Sequence, residues 1–185
     1  MDLPGHGVSS GKPASIDSFE EYSEALESIL ELAAKLPRPW VGIGQSTGCA
    51  VIMDSLLNRE LDERFGLAQY ILLCPLLYPV GWSLSRYVFY LTRSFLSDIS
   101  RSFARNSHDD GFLRFIRERD CLQARTLPTA WVAAMADYQQ RFAVAGQSEV
   151  PVHIIQGTND GTVDWRKNLP LIREKFPAGC AHLLD

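Results

Sequence analysis

Basic clusters, paired cysteines and an uninterrupted apolar helix are all missing from this sequence, and each absence removes a class of function. Lysine and arginine number 18 against 22 aspartates and glutamates, giving a net charge of −4 over 185 residues with the basic residues spread out. Nucleic-acid binding draws its affinity from clustered basic residues against phosphates, so it is not expected. Four cysteines occur (Cys49, Cys74, Cys121 and Cys180), none in a C-x-x-C pair. They read as buried free thiols of a reducing, cytoplasmic compartment, neither disulfides nor zinc ligands. The start, Met1-Asp2-Leu3-Pro4-Gly5, lacks the charged end and apolar centre of a signal peptide. Residues 65–85 carry no charge and are long enough to span a bilayer, but Pro75, Pro79 and Gly81 interrupt them. A buried strand running into an apolar loop is the expectation there.

What is present fits one globular domain, 46% hydrophobic and 22% charged. Residues 40–54, WVGIGQSTGCAVIMD, organise it. A short apolar run meets Gly44-Gln45-Ser46-Thr47-Gly48, after which Ala50, Val51, Ile52, Met53, Leu56 and Leu57 continue at mostly helical spacing. This is strand, tight turn and helix with a serine at the apex, the G-x-S-x-G pattern. A serine hydroxyl is a weak nucleophile unless it stands exposed beside a base and next to N–H groups that hold a developing oxyanion. A sharp strand-to-helix turn provides that placement, and crowding at the turn is the reason expected for glycine at both Gly44 and Gly48.

Before this stretch, residues 2–11 are turn chemistry, and His6 reads as a hydrogen-bonding post in a tight loop. A helix follows, opened by the capping-box pair Ser18 and Glu21. Its apolar stripe is Phe19, Tyr22, Leu26, Ile29, Leu30 and Ala33, with Glu20, Glu21, Glu24 and Glu27 expected to face water. Strands are expected over 39–44, 67–74, 150–156 and 180–185, with a helix from Ser46 to about Asn58. Strand and helix in alternation at this spacing predict a parallel α/β sheet. Between 75 and 148 the alternation stops. Segments 87–95, 112–119 and 129–142 read as helices, no comparable strand signal appears, and 75–148 is therefore a helical insertion. Its aromatics Trp82, Tyr87, Phe89, Tyr90, Phe95 and Trp131 either line a lipid-sized pocket or pack the insertion on the sheet. His108 falls in a polar loop and is expected to be solvated. After the strand at 150–156 comes GTNDGTVD, where an acid would orient a catalytic histidine. Asp160 is the first choice; Asp164 is the second, or else the N-cap of a helix over 165–176.

DLPGHGVSSG, GIGQSTG and VPVHIIQGTNDGTVDW, in that order, resemble the α/β-hydrolase superfamily. Within it the chain is most similar to monoacylglycerol lipase-like and lysophospholipase-like serine hydrolases of the serine aminopeptidase S33 type. The resemblance implies an α/β-hydrolase fold, a mostly parallel sheet flanked by helices with the 75–148 insertion as its cap. It assigns Ser46 as nucleophile, the backbone N–H of Thr47 as an oxyanion donor and Asp160 as the acid of the triad. No cofactor and no metal are implied. The substrate would be a small ester with an acyl chain, and the cap would touch membrane surfaces transiently. The family's catalytic histidine follows its last strand and would fall a few residues beyond Asp185, with His182 the alternative within the chain. The family's first strands would precede Asp2, so the fold is expected to be truncated at both ends.

Two classes of function stand side by side. The first is a serine hydrolase of carboxylic esters working through an acyl-enzyme. The second is a non-catalytic protein of the same fold that binds a ligand or partner, or a piece that is catalytically inert alone.

Overall fold

The computed structural model describes residues 1–92, 95, 97–100, 107–122 and 124–185. Helix α1 (Glu20–Ala33) leads into strand β1 (Val41–Gln45), helix α2 (Thr47–Asn58), the short helix α3 (Leu61–Phe65) and strand β2 (Gln69–Leu73). Then come α4 (Trp82–Thr92), β3 (Asp98–Ser100), α5 (Asp110–Glu118), β4 (Thr126–Pro128) and α6 (Thr129–Val144). The chain closes with β5 (Val152–Gly157), α7 (Trp165–Lys175) and β6 (Cys180–Leu184). The four long strands form one parallel sheet in the order β1-β2-β5-β6, while β3 and β4 make a separate antiparallel pair. That pair lies where the sequence shows only helices and breaks, and strands of three residues are too short to leave a periodic signal. The charge-free stretch 65–85 becomes the end of α3, β2, an irregular segment and the start of α4. Among the described residues, no helix is long and apolar enough to cross a membrane.

A strand order that never reverses, joined by right-handed crossovers, puts the connecting helices on one side of the sheet. Burial agrees. Tyr70, Leu72, Val152 and Ile154 are buried on that side, with Met53, Met135, Tyr138, Ile172 and Phe176 from the helices. By the strand register Val41, Ile43, Ile71, His153, Ile155, Cys180 and His182 share the other side, where Ile43 is 63% exposed.

Helix α1 departs from its expected pattern. Only half of the Ser18–Glu21 box forms: Ser18 N–H donates to Glu21 Oε1 at 3.1 Å, but Ser18 Oγ accepts from Glu20 N–H at 3.2 Å, Glu21 N–H donates to the Ser18 carbonyl instead, and the helix begins after Phe19 with no side-chain cap. Glu27, however, does not face water. It is only 7% exposed and bonds to Arg59 and to Arg64, the latter at 2.6 Å, so two guanidiniums from α2's end and α3 hold its carboxyl below its usual range. Ile29 is exposed, because the apolar stripe is wider than the face α1 lays on its neighbours. A second buried carboxylate, Asp54 on α2, accepts from Ser23 Oγ at 2.9 Å and Asn58 Nδ2 at 3.0 Å and lies 3.2 Å from Arg141 Nη1. It ties α1, α2 and α6 together.

The cysteines split. Cys49 is buried and Cys74 half-buried, but Cys121 and Cys180 are exposed, against the expectation of four buried thiols. Neither exposed thiol sits in a run apolar enough to dictate burial. Trp82 and Phe89 are core residues, Trp131 packs near Phe19, and Tyr87, Tyr90 and Phe95 are exposed. Arg93, Ser94 and Asn106, which the sequence places in a helix and a loop, lie outside the described residues.

Candidate active site

Strand β1 ends at Gln45 and helix α2 begins at Thr47, so Ser46 takes the whole change of direction. Its backbone sits at φ +49° and ψ −109°, a region a residue with a side chain enters only when its surroundings force it. Backbone hydrogen bonds to β2, to the helix and to the loop after β2 fix the turn. Ser46 N–H donates to Leu73 O at 2.9 Å, while Cys49 N–H (3.0 Å) and Leu76 N–H (3.3 Å) donate to Ser46 O. Its own N–H is committed to β2, and Thr47 and Gly48 follow in the first turn of the helix, where N–H groups have no carbonyl four residues back.

Of the two glycines, crowding explains only one. A Cβ on Gly44 would lie 2.7 Å from Cys49 N and from Gly48 C and O, whereas a Cβ on Gly48 meets nothing within 4 Å. Glycine at 44 lets α2 fold back on β1; steric need does not extend to 48. Cys49 Sγ fills the space beneath, donating to Gly44 O at 3.1 Å, and burial pushes its thiol up to about 12.

Ser46 opens onto a cavity of about 400 Å³ whose wall includes Cys74, His108, Asp160, Leu184 and Asp185. Asp160 stands on the loop after β5. Its Oδ1 accepts from the N–H groups of Thr162 (2.7 Å) and Val163 (3.1 Å), and its Oδ2 accepts from Gln156 Nε2 at 3.2 Å. Burial, with the Asp160 carboxylate beside it, raises the Cys74 thiol. The loop after β2 is knitted to the same region: Val80 N–H donates to Thr162 O and Asp164 N–H to Tyr78 O. Buried Asn168 clamps that loop, accepting from Tyr78 N at 2.9 Å and donating to Tyr78 O at 3.0 Å. Asp164 does something else. It is the N-cap of α7, accepting from Lys167 N–H at 3.4 Å, and is not part of the cavity wall.

Ser46 and Asp160 therefore share one cavity, with Thr47 adjoining. His182 does not join them; it stands on the open side of the sheet beside Cys180. His6 donates through Nδ1 to Pro4 O at 3.1 Å, the post expected of it. Sequence reasoning missed three residues. Cys74 is hidden in an apolar run, and Gln156 is a polar residue closing an apolar strand, which is a readable signal. His108 is exposed as expected, yet reaches the cavity wall from a loop far along the chain, which no local pattern reveals.

A family model described as alpha/beta hydrolase family matches residues 1–183. The chain belongs to the alpha/beta hydrolase family. Solved relatives show the same fold at low identity. Monoacylglycerol lipase of Paleococcus ferrophilus superposes with a TM-score of 0.76 at 21% identity, over 99% of this chain and 71% of that one. A soluble variant of monoglyceride lipase from Saccharomyces cerevisiae, in complex with a substrate analogue, gives 0.76 at 16%, over 98% and 66%. Mouse alpha/beta hydrolase domain-containing protein 10 gives 0.65 at 14%, over 100% and 66%. This alpha/beta hydrolase chain thus spans roughly two thirds of the length of such relatives. Among curated proteins, none matches it in sequence.

Proposed function

We propose that the protein is a serine hydrolase of carboxylic esters with an acyl chain, of the acylglycerol or lysophospholipid kind. The observation that carries this is Ser46, held at φ +49° at the head of α2 and sharing a cavity with Asp160. Ser46 Oγ attacks the ester carbonyl, and the N–H of Thr47 receives the developing oxyanion. A histidine takes the serine proton and returns it to the leaving alcohol, and Asp160 orients that histidine. Water then releases the acyl-enzyme. The resemblance puts that histidine just after the family's last strand, and the end of β6 supports such a position: Leu184 and Asp185 form cavity wall beside Asp160, and Thr158 N–H holds Leu184 O at 2.8 Å. A second reading is favoured by one observation: His108 lies on the same wall and would serve as the base within this chain.

A fluorophosphonate probe tests the nucleophile. Ser46 should be labelled, and Ser46→Ala should not; labelling that survives the substitution sinks the assignment. Comparing His108→Gln with His182→Gln separates the bases: loss of labelling in His108→Gln supports the second reading, and loss only in His182→Gln rejects both.

The segment between β2 and β5 is the cap in this reading, and it supplies the contact with lipid. Leu84, Tyr87, Val88 and Leu91 on α4 are all exposed, at spacings of three, four and seven from the first, so they form one apolar stripe. Vesicle co-sedimentation that is unchanged in the double variant Leu84→Ser/Leu91→Ser would rule that role out.

A further inference from the structure

Strands β5 and β6 pair in parallel with His153 opposite Cys180 and Ile155 opposite His182. Side chains two apart on a strand share a face. His153, Cys180 and His182 therefore stand together on the open side of the sheet, away from Val152 and Ile154, which face the core. His153 is half-buried and the other two are exposed. Cys180 Sγ lies 3.1 Å from His153 Nδ1 and 3.5 Å from His182 Nε2, and one ligand atom from each of the three falls within 4.8 Å of the others. None of them lines the Ser46 cavity.

We propose that these three side chains bind a zinc ion that fastens the edge strand β6 to β5. A tetrahedral zinc, with Zn–S about 2.3 Å and Zn–N about 2.0–2.1 Å, sets S···N edges of about 3.6 Å and N···N edges of about 3.3 Å. The two sulfur–nitrogen distances already lie within about 0.5 Å of that geometry. Closing the imidazoles on each other requires about 1.5 Å at most, which side-chain torsions supply, chiefly those of the exposed His182. The chemistry of the set agrees. One thiolate and two imidazoles suit a borderline metal such as zinc, and not the hard cations that prefer carboxylates and carbonyls. Binding displaces the thiol proton to solvent, and water fills the fourth position, which faces outward. The ligands come from two strands 27 residues apart, so the site has no C-x-x-C signature to betray it.

Cobalt(II) tests this on the whole chain, stripped with a chelator and kept reduced. One Co²⁺ per chain should bind, giving thiolate-to-cobalt charge transfer and the intense visible bands of tetrahedral coordination, all displaced by Zn²⁺. Cys180→Ser should abolish the charge-transfer band, and His153→Gln and His182→Gln should each weaken binding at least tenfold. Cys121→Ser, at the other exposed thiol, should change nothing. Zn²⁺ should raise the melting temperature of the unsubstituted protein and of Cys121→Ser but not of Cys180→Ser, with circular dichroism confirming that every variant is folded. A band that persists in Cys180→Ser, a band lost in Cys121→Ser, or no charge transfer up to millimolar Co²⁺ would each overturn the proposal.

Discussion

The two glycines of the turn make the sharpest test of the geometry, because the motif treats them alike and the structure does not. In Gly44→Ala the new methyl would stand 2.7 Å from three backbone atoms, Cys49 N and Gly48 C and O. Comfortable carbon contacts begin near about 3.5 Å, and backbone atoms cannot rotate aside, so α2 must move off β1. Overpacking of this kind costs about 1–3 kcal/mol, and rigid neighbours place it at the upper end. For a chain of this length about 3 kcal/mol lowers the melting temperature by roughly 6–12 °C. Displacing the turn by a fraction of an ångström also misplaces Ser46, and fluorophosphonate labelling should slow by about 100-fold. In Gly48→Ala the methyl enters open space within α2, and removing a helical glycine is worth up to about 1 kcal/mol of added stability. Its melting temperature should hold or rise by a few degrees, with labelling within a few-fold. Thermal unfolding by circular dichroism and timed probe labelling read both quantities. A Gly48→Ala variant as unstable or as slow as Gly44→Ala would refute the reasoning.

Three further outcomes are expected. Asp160→Asn should lower kcat on short p-nitrophenyl esters by about 10⁴-fold, whereas Asp164→Asn should cost at most about 1 kcal/mol through the α7 cap and leave kcat alone, as steady-state assays will show. Glu27→Gln should destabilise by about 2–3 kcal/mol, between exposed and fully buried ion pairs, because Arg59 and Arg64 keep side-chain exposures of 26% and 40%. Since the Glu27 carboxyl is held below the ordinary value of 4.5 in the folded protein, its contribution is present above that pH and fades as pH falls below it. Urea unfolding against pH should therefore show a shallower acid limb in Glu27→Gln. With a chelator present, a disulfide reagent at mildly alkaline pH should modify Cys121 and Cys180 quickly and Cys74 slowly. Cys49, whose thiol burial raises to about 12, should react only on unfolding, and four equal rates would contradict the burial described.

The parts of this protein legible in sequence are those whose cause is local. The turn at Ser46 combines an apolar run, glycine at 44 and helical spacing within 15 residues, and the loop holding Asp160 is announced by the strand before it. The four strands of the sheet are likewise legible, because short apolar runs bounded by turn residues mark them, Leu67 to Cys74 above all. What stayed hidden depends on partners distant in sequence. Glu27 reads as one more carboxylate on a wet helix face until Arg59 and Arg64 arrive from beyond α2. His108 gains its position from the fold of a long connection, and β3 and β4 are each too short to show a period. Gly48 was misjudged for a different reason: a motif records which residues recur, whereas only atomic distances tell which of them are sterically required.

The hydrogen bond from Ser46 N–H to Leu73 O makes Ser46 the last rung of the β1–β2 ladder. Slipping β1 by one residue against β2 would turn Val41 and Ile43 into the core and, in the same motion, pull the serine off its anchor on β2. A chain that pairs its strands wrongly cannot also present a poised hydroxyl. Under the proposed function, reactivity at Ser46 is thus a proofreading signal for the fold: any preparation that labels there has, in the labelled fraction, found its native register.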